Sequence, residues 1–360
     1  MARLARALLC AVALGVLLYG CVASVPRVLH FDTESAPDRK RIVWPPPPEV
    51  PRFAWAGQLL GEVNFKAAGD ERDRARKILR WLAGVVFGES QQPVQVQRPQ
   101  SGAVDAAGRI YVTDAANSAV FVFDTVAGEL LVWDKAEGPT NFVSPVGIAV
   151  GPGGDILVAD SQLGIVARLN ASGNARRSIG RGLLERPTGL AYDPQGKRLY
   201  VSDTGAHDIK VFDEQGRLVK TIGRRGEGAG EFNFPTYLAF ARGELYVTDT
   251  MNSRIQILSE DGTVTKLRFG SRGVNVGNLV RPKGLTVDSE GNIYVVESYY
   301  NHLLVFNRRG ELLLAIGGGG RAPGRFDLPA GVWVDSSNRI FVADMFNARV
   351  AVFQFLGSAK

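Results

Sequence analysis

An all-β fold closed from six repeats is what this sequence predicts, on two observations and one packing constraint. The stretch Pro282 to Gly317 divides into four short runs rich in Val, Ile, Leu, Tyr and Phe, too short for helices and right for strands. The runs are cut by the turn Asp288-Ser289-Glu290-Gly291, the polar loop Glu297 to Asn301 and the turn Asn307-Arg308-Arg309-Gly310. The same unit begins again at Pro99, Pro145, Pro187, Pro235, Pro282 and Pro329, at spacings of 42 to 48 residues. A four-stranded unit of this period cannot bury both faces of its sheet alone, whereas six packed radially can. The expected architecture is a six-bladed β-propeller with four-stranded blades.

Composition agrees. A chain of 360 residues could form two ordinary domains, but the repeats take up 99–355 and leave only a front segment. Hydrophobic content of 45% supplies a core, and 42 glycines with 18 prolines suit a fold of many turns. The formal charge of +6 is mild, and smaller once Arg3 and Arg6 are cleaved away. Nucleic acid is therefore not an expected partner, since it needs a basic face with aromatic platforms.

Residues 1–20 read as a secretory signal. Arg3 and Arg6 precede the apolar run Ala7 to Leu18, which is short for a membrane span. Leu18-Tyr19-Gly20-Cys21 resembles the lipobox of bacterial lipoproteins, with Tyr19 bulkier than the small residue usual there. The resemblance implies that Cys21 is the lipidated mature N-terminus, carrying acyl chains such as palmitate and attaching the protein to a membrane of the bacterial envelope. Val22 in place of Asp implies the outer membrane. The alternative is ordinary secretion with Cys21 as a free thiol. The other cysteine, Cys10, lies in the signal, so the mature chain has no internal disulfide and no thiolate metal site.

Residues 21–51 show little periodicity, and the run Pro45 to Pro48 reads as extended and stiff. The segment is expected to be a tether lifting the propeller (52–360) off the lipid, with Trp44 and the prolines as a partner-docking motif in the alternative. The last repeat supplies three strands, Gly331 to Val334, Arg339 to Ala343 and Val350 to Phe355. Residues 52–61 resemble the outer strands Arg217 to Gly223 and Glu311 to Gly317, and are expected to close the last blade as its fourth strand, removing an open edge. Residues 70–87 read as one inserted amphipathic helix, with acids in the first turn and Ile78, Leu79, Leu82, Val85 and Val86 on one face. It is expected to cover one end of the propeller. Resting on anionic lipid through Trp81 and Phe87, or docking a partner, are the alternatives.

The blade signature resembles the NHL repeat: P-x-G near the start, an apolar pair then Asp, Y-V-x-D, N-x-[RH], and a glycine-rich loop ending in Phe. Met251-Asn252-Ser253-Arg254-Ile255-Gln256-Ile257, Tyr300-Asn301-His302-Leu303-Leu304-Val305-Phe306 and Gly228-Ala-Gly-Glu-Phe232 carry it. The second repeat departs, with Ser161-Gln-Leu-Gly lacking the Asn. The resemblance implies a binding platform, although relatives of the family include an amidating lyase and sugar-lactone hydrolases.

Columns across the repeats supply the candidate residues. Asp114, Asp160, Asp203, Asp249, Glu297 and Asp344 hold one place in six blades. A residue that recurs once per blade is expected to do a structural job, accepting hydrogen bonds from loop backbone and from the Asn or Arg of N-x-R. Calcium at one or two of them is the alternative. A second column, Ser101, Gly147, Gly189, Tyr237, Gly284 and Gly331, should lie near the axis, where crowding favours glycine. The column before it varies: Gln100, Val146, Thr188, Thr236, Lys283 and Ala330. Gln100, Thr188, Tyr237 and Lys283 are therefore candidates for a site at the central mouth, against the plainer reading of a wet channel with polar lining. Neither axial column holds a histidine, and His207 and His302 sit in the N-x-[RH] loops with His30 in the tether, so no catalytic zinc is expected. The arginine-bearing inter-blade loops, with Arg224 and Arg225 foremost, would line one face as a positive ring, or be plain solvated loops.

The expected function is non-catalytic: a lipid-anchored scaffold binding a protein or an envelope polymer, needing no cofactor. The alternative is a lyase or lactonase-like hydrolase with its site at the channel mouth, where calcium would be the ion to assist its chemistry.

Overall fold

The computed structural model describes residues 26–31, 41–67 and 92–357. Five four-stranded antiparallel sheets and one five-stranded sheet form six blades. The blades start with the strands Pro99–Val104, Pro145–Val150, Pro187–Asp193, Pro235–Ala241, Pro282–Val287 and Pro329–Val334, each contacting the next, with the last returning to the first. These innermost strands ring the axis.

The second and third strands of each blade are buried on both faces, because each blade is sandwiched between two others. Four tyrosines at one place in the second strand, Tyr111, Tyr200, Tyr246 and Tyr294, fill the gaps between blades; Leu157 and Phe341 take the remaining two places. Their hydroxyls stay paired: Tyr294 donates to Asp288 at 2.8 Å and Tyr111 to Asp105 at 3.0 Å. A second set of plugs comes from the inter-blade connections. Val96, Phe142, Leu184, Phe232, Leu279 and Phe326, each three residues before the starting proline, are all buried.

The sixth blade closes the ring. Its strands Pro329–Val334, Arg339–Asp344 and Arg349–Phe355 are completed by Phe53–Leu59, with Phe355 opposite Phe53 and Val350 opposite Leu59. The expected closing strand is thus present. A fifth strand, Val43–Trp44, follows it in the same sheet.

That strand corrects the expected tether. Trp44 pairs with Phe53, its carbonyl accepts from the Arg52 backbone at 2.8 Å, and its ring packs edge-on against Phe353. The polyproline run is the bend of this hairpin and not an extended rod, because Trp44 gains a buried aromatic contact by turning back. Upstream, Arg27–Leu29 pairs with Phe65–Ala67 and Phe31 meets the Phe341 ring. The described parts of 21–51 therefore lie against the propeller. The signal, Cys21 and the helix expected at 70–87 lie outside the described residues, and no helix longer than a three-residue turn occurs among those described. Like the pair Arg27–Leu29 with Phe65–Ala67, a hairpin between the first and second blades, Lys135–Glu137 with Thr140–Asn141, is not foreshadowed by the repeat.

Candidate binding face

One face of the ring carries the inter-blade connections and the loops joining second to third strands. The carboxylate column organises it. Each of Asp114, Asp160, Asp203, Asp249, Glu297 and Asp344 is buried at the end of a second strand and accepts backbone N–H from the connection that precedes its own blade. The donors are Gln97 at 2.6 Å, Val143 at 2.7 Å, Arg186 at 2.8 Å, Asn233 at 2.7 Å, Val280 at 2.6 Å and Asp327 at 2.7 Å. Charge-assisted bonds to backbone satisfy these buried acids without a metal ion. Among the described residues no group of three or more His, Cys, Asp or Glu is placed to hold one.

In the fourth and sixth blades the second half of the signature locks the glycine-rich loops. Arg254 Nε donates to Asp249 at 2.7 Å, and its terminal nitrogens donate to the carbonyls of Glu227, Gly228 and Glu231. Asn252 holds the Gly226 carbonyl. Arg349 repeats this on Asp344, Arg321 and Arg325, and also reaches Gln58 of the closing strand at 3.1 Å. The loop bearing Arg224 and Arg225 is therefore fixed. Arg224 is exposed and paired with Glu231 at 2.9 Å, while Arg225 is exposed beside it.

At the axis, glycine is required by close approach. A Cβ on Gly147 would sit 2.0 Å from the Thr188 carbonyl oxygen, and one on Gly331 would sit 2.5 Å from that of Gln100. Tyr237 departs from this pattern, and its hydroxyl donates to the Gln100 carbonyl at 3.0 Å. The side chain crosses from the fourth blade to the first, and burial pushes its phenol above the ordinary tyrosine range. A cavity of about 230 Å³ lined by Tyr237, Gly147, Gly189, Ala239 and Trp333 occupies the channel. Thr188 shares a hydrogen bond with Thr204 at 2.6 Å and donates to the Thr236 carbonyl of the next blade, so it stitches blades together. The Gln100 amide contacts Met345 Sδ at 3.1 Å. Of the four residues expected at the mouth, Lys283 alone is left without a polar partner for its side chain among the described residues. Burial, and then the nearby Arg281, hold its ammonium below the usual lysine value.

Two further columns frame this mouth and escaped the sequence reading. Two residues beyond the carboxylates stand Ala116, Gln162, Gly205, Met251, Tyr299 and Phe346. Met251, Tyr299 and Phe346, from three consecutive blades, are 52%, 57% and 53% exposed, with exposed Phe234 beside them. Immediately before the starting prolines, Arg98, Arg186 and Arg281 alternate around the ring and are exposed. None of the three pairs with a carboxylate among the described residues, and Arg98 lies over the Phe346 ring at 5.9 Å. Aligning the repeats at these two positions would have found both columns.

Comparison with known proteins agrees with the fold. A family model described as a 6-bladed beta-propeller matches residues 192–259 and 278–359. Drosophila melanogaster brain tumor protein is 31% identical over 139 residues, which is 38% of this chain and 13% of that protein. Mouse NHL repeat-containing protein 3 is 28% identical over 128 residues, 32% of this chain and 37% of that one. The matched stretch is thus well under half of either relative. Virginiamycin B lyase of Staphylococcus aureus superposes with a TM-score of 0.54 at 14% identity, covering 72% of this chain and 96% of that one, a likeness of fold alone. The chain folds as a six-bladed β-propeller, and over the matched stretches it is similar to NHL-repeat proteins.

Proposed function

We propose that the protein is a non-catalytic scaffold of the bacterial envelope, anchored through lipidated Cys21, that docks a protein or an acidic envelope polymer on its inter-blade face. The supporting observation is the pairing on that face of an exposed apolar crescent, Met251, Tyr299 and Phe346, with cations that lack carboxylate partners, Arg98, Arg186, Arg281 and Lys283. Large exposed apolar side chains gathered on one face and rimmed by charge suit an interaction site, and Arg, Tyr and Met are enriched in interfaces. The locked loops favour this reading, because a preorganised surface loses little entropy on binding. Tyr237 across the axis counts against the alternative of a lyase or lactonase site at the mouth, since it occupies the place a substrate would enter.

Crosslinking of the full chain in intact cells, followed by mass spectrometry, tests the proposal. One dominant partner, lost with Tyr299→Ser and Phe346→Ser or with Lys283→Glu, and retained with Arg224→Glu and Arg225→Glu, supports docking at the mouth. Loss with Arg224→Glu and Arg225→Glu alone moves the contact to the outer loops. No partner above an anchored control overturns the scaffold reading. For the anchor, absence of palmitate-analogue label on the wild-type chain overturns lipidation at Cys21.

A further inference from the structure

On the flank of the ring, between the second and third blades, lies a groove of about 560 Å³ that the repeat does not require. Its walls are the outer strand Ala175–Ile179, the loop at 180–183, the hairpin Lys135–Glu137 and the turn Gln215 to Arg217. Five arginines line it: Arg168, Arg176, Arg177, Arg181 and Arg217.

Departures from the repeat converge here. Arg168 occupies the place, eight residues beyond the carboxylate column, that holds Val122, Val211, Ile257, Val305 and Val352 in the other blades. An aliphatic core position has become a guanidinium, half-walled by a buried acid: Arg168 Nε donates to Asp155 at 2.6 Å. The hairpin is also special to this connection among the described residues, and its Glu137 accepts the Ser178 backbone N–H at 2.8 Å and pairs with Arg181, which fixes the wall. Variation concentrated at one place in a repeating frame marks individual function.

The charges do not cancel. Asp155 serves two arginines, lying 3.4 Å from Arg176 as well as beside Arg168, and Asp213 holds Arg217 through Nε at 2.7 Å. Arg177 has no carboxylate partner among the described residues. Five cations face three acids, and the terminal nitrogens of Arg217 and Arg177 keep their donors. A phosphate group carries about −1.5 to −2 charge and three acceptor oxygens, which matches this excess and the fork geometry of arginine.

We propose that this groove binds a phosphate ester bearing two or more phosphate groups, or a phosphate with a second anionic group. The site is separate from the docking face and does not depend on it. Isothermal titration of the full chain in neutral detergent at low salt, with inorganic tripolyphosphate as probe, tests it. One saturable site is expected. Arg177→Glu with Arg217→Glu should weaken binding at least about tenfold, about 1.4 kcal/mol. The same charge change at Arg308 and Arg309, on an outer turn of the fifth blade, should change it less than about twofold if site geometry and not bulk charge decides. Arg177→Gln alone, which leaves every carboxylate pair intact, should also weaken binding, so a folding defect in the double variant does not shield the proposal. Absence of saturable binding up to millimolar probe, or equal weakening in the control pair, overturns it. Tighter binding of dihexanoyl phosphatidic acid than of a sugar bisphosphate assigns the groove to lipid head groups, and the reverse order assigns it to soluble esters. Citrate binding as tightly as either overturns the phosphate assignment.

Discussion

The Tyr237 hydroxyl of the fourth blade donates to the Gln100 carbonyl of the first at 3.0 Å, joining opposite sides of the ring across its axis. The place is glycine in four other blades, where the neighbouring backbone leaves no room for a Cβ. Tyrosine fits here because its side chain turns into the channel and its one polar atom finds the far wall. Tyr237→Phe keeps the ring and removes the bond, leaving the Gln100 carbonyl without its donor. The expected cost is about 1 kcal/mol in urea unfolding. A variant within a few tenths of wild type would mean that the bridge carries no energy.

The closing seam predicts a larger effect. Arg349 joins Asp344, two loop carbonyls and Gln58 of the closing strand, and Arg349, Asp344 and Gln58 are nearly out of reach of solvent. Arg349→Ala leaves the Asp344 carboxylate buried without its cation and frees the seam at the same time. Breaking one partner of a buried pair costs about 3–5 kcal/mol. Arg309→Ala, from the exposed pair with Glu311, should cost under about 1 kcal/mol in the same assay. Similar midpoints for the two variants would refute a structural role for the signature arginine.

The ring was legible in the sequence because its causes are periodic: Asp114 and its five counterparts, the starting prolines, and the apolar runs recur at fixed offsets. Closure by 53–59 was legible because a lone strand and a blade short of one strand stood at opposite ends of the chain. The bend at Pro45 to Pro48 was not, since local stiffness argues for extension and only the contact of Trp44 with Phe353 selects the turn. The bridge from Tyr237 was equally hidden, because residues 137 apart meet only once the ring is closed. Met251, Tyr299 and Phe346 share a fixed offset with Ala116, Gln162 and Gly205, and only the folded ring shows the three large side chains exposed on consecutive blades.

His302 should give the fold a measurable acid sensitivity. Burial, and then Arg325, push its imidazole below the ordinary histidine value. The unfolded chain therefore takes up the proton first on acidification, and proton uptake by the unfolded state favours unfolding. Stability from this group is complete above about pH 6.5 and declines as pH falls toward the lower folded value. Urea midpoints should drop between about pH 7 and pH 5, and His302→Gln should flatten part of that drop. Proton resonances of the His302 ring that titrate at or above the free value would contradict this.

Lys283 should separate binding from stability. Its side chain is partly buried, lacks an acceptor among the described residues and is repelled by Arg281, so the fold is better off without the charge. Lys283→Met keeps a flexible stem of similar length and removes the unpaired cation. The expected gain is on the order of 1 kcal/mol, read as a raised urea midpoint. If the inter-blade face docks an acidic partner, the same variant should lose crosslinked partner while becoming more stable. A lysine retained for packing would give the opposite result on both measurements, lower stability with partner capture unchanged. The pairing of the two readouts matters because a destabilised variant loses binding for trivial reasons, whereas a stabilised one that loses binding has lost a contact.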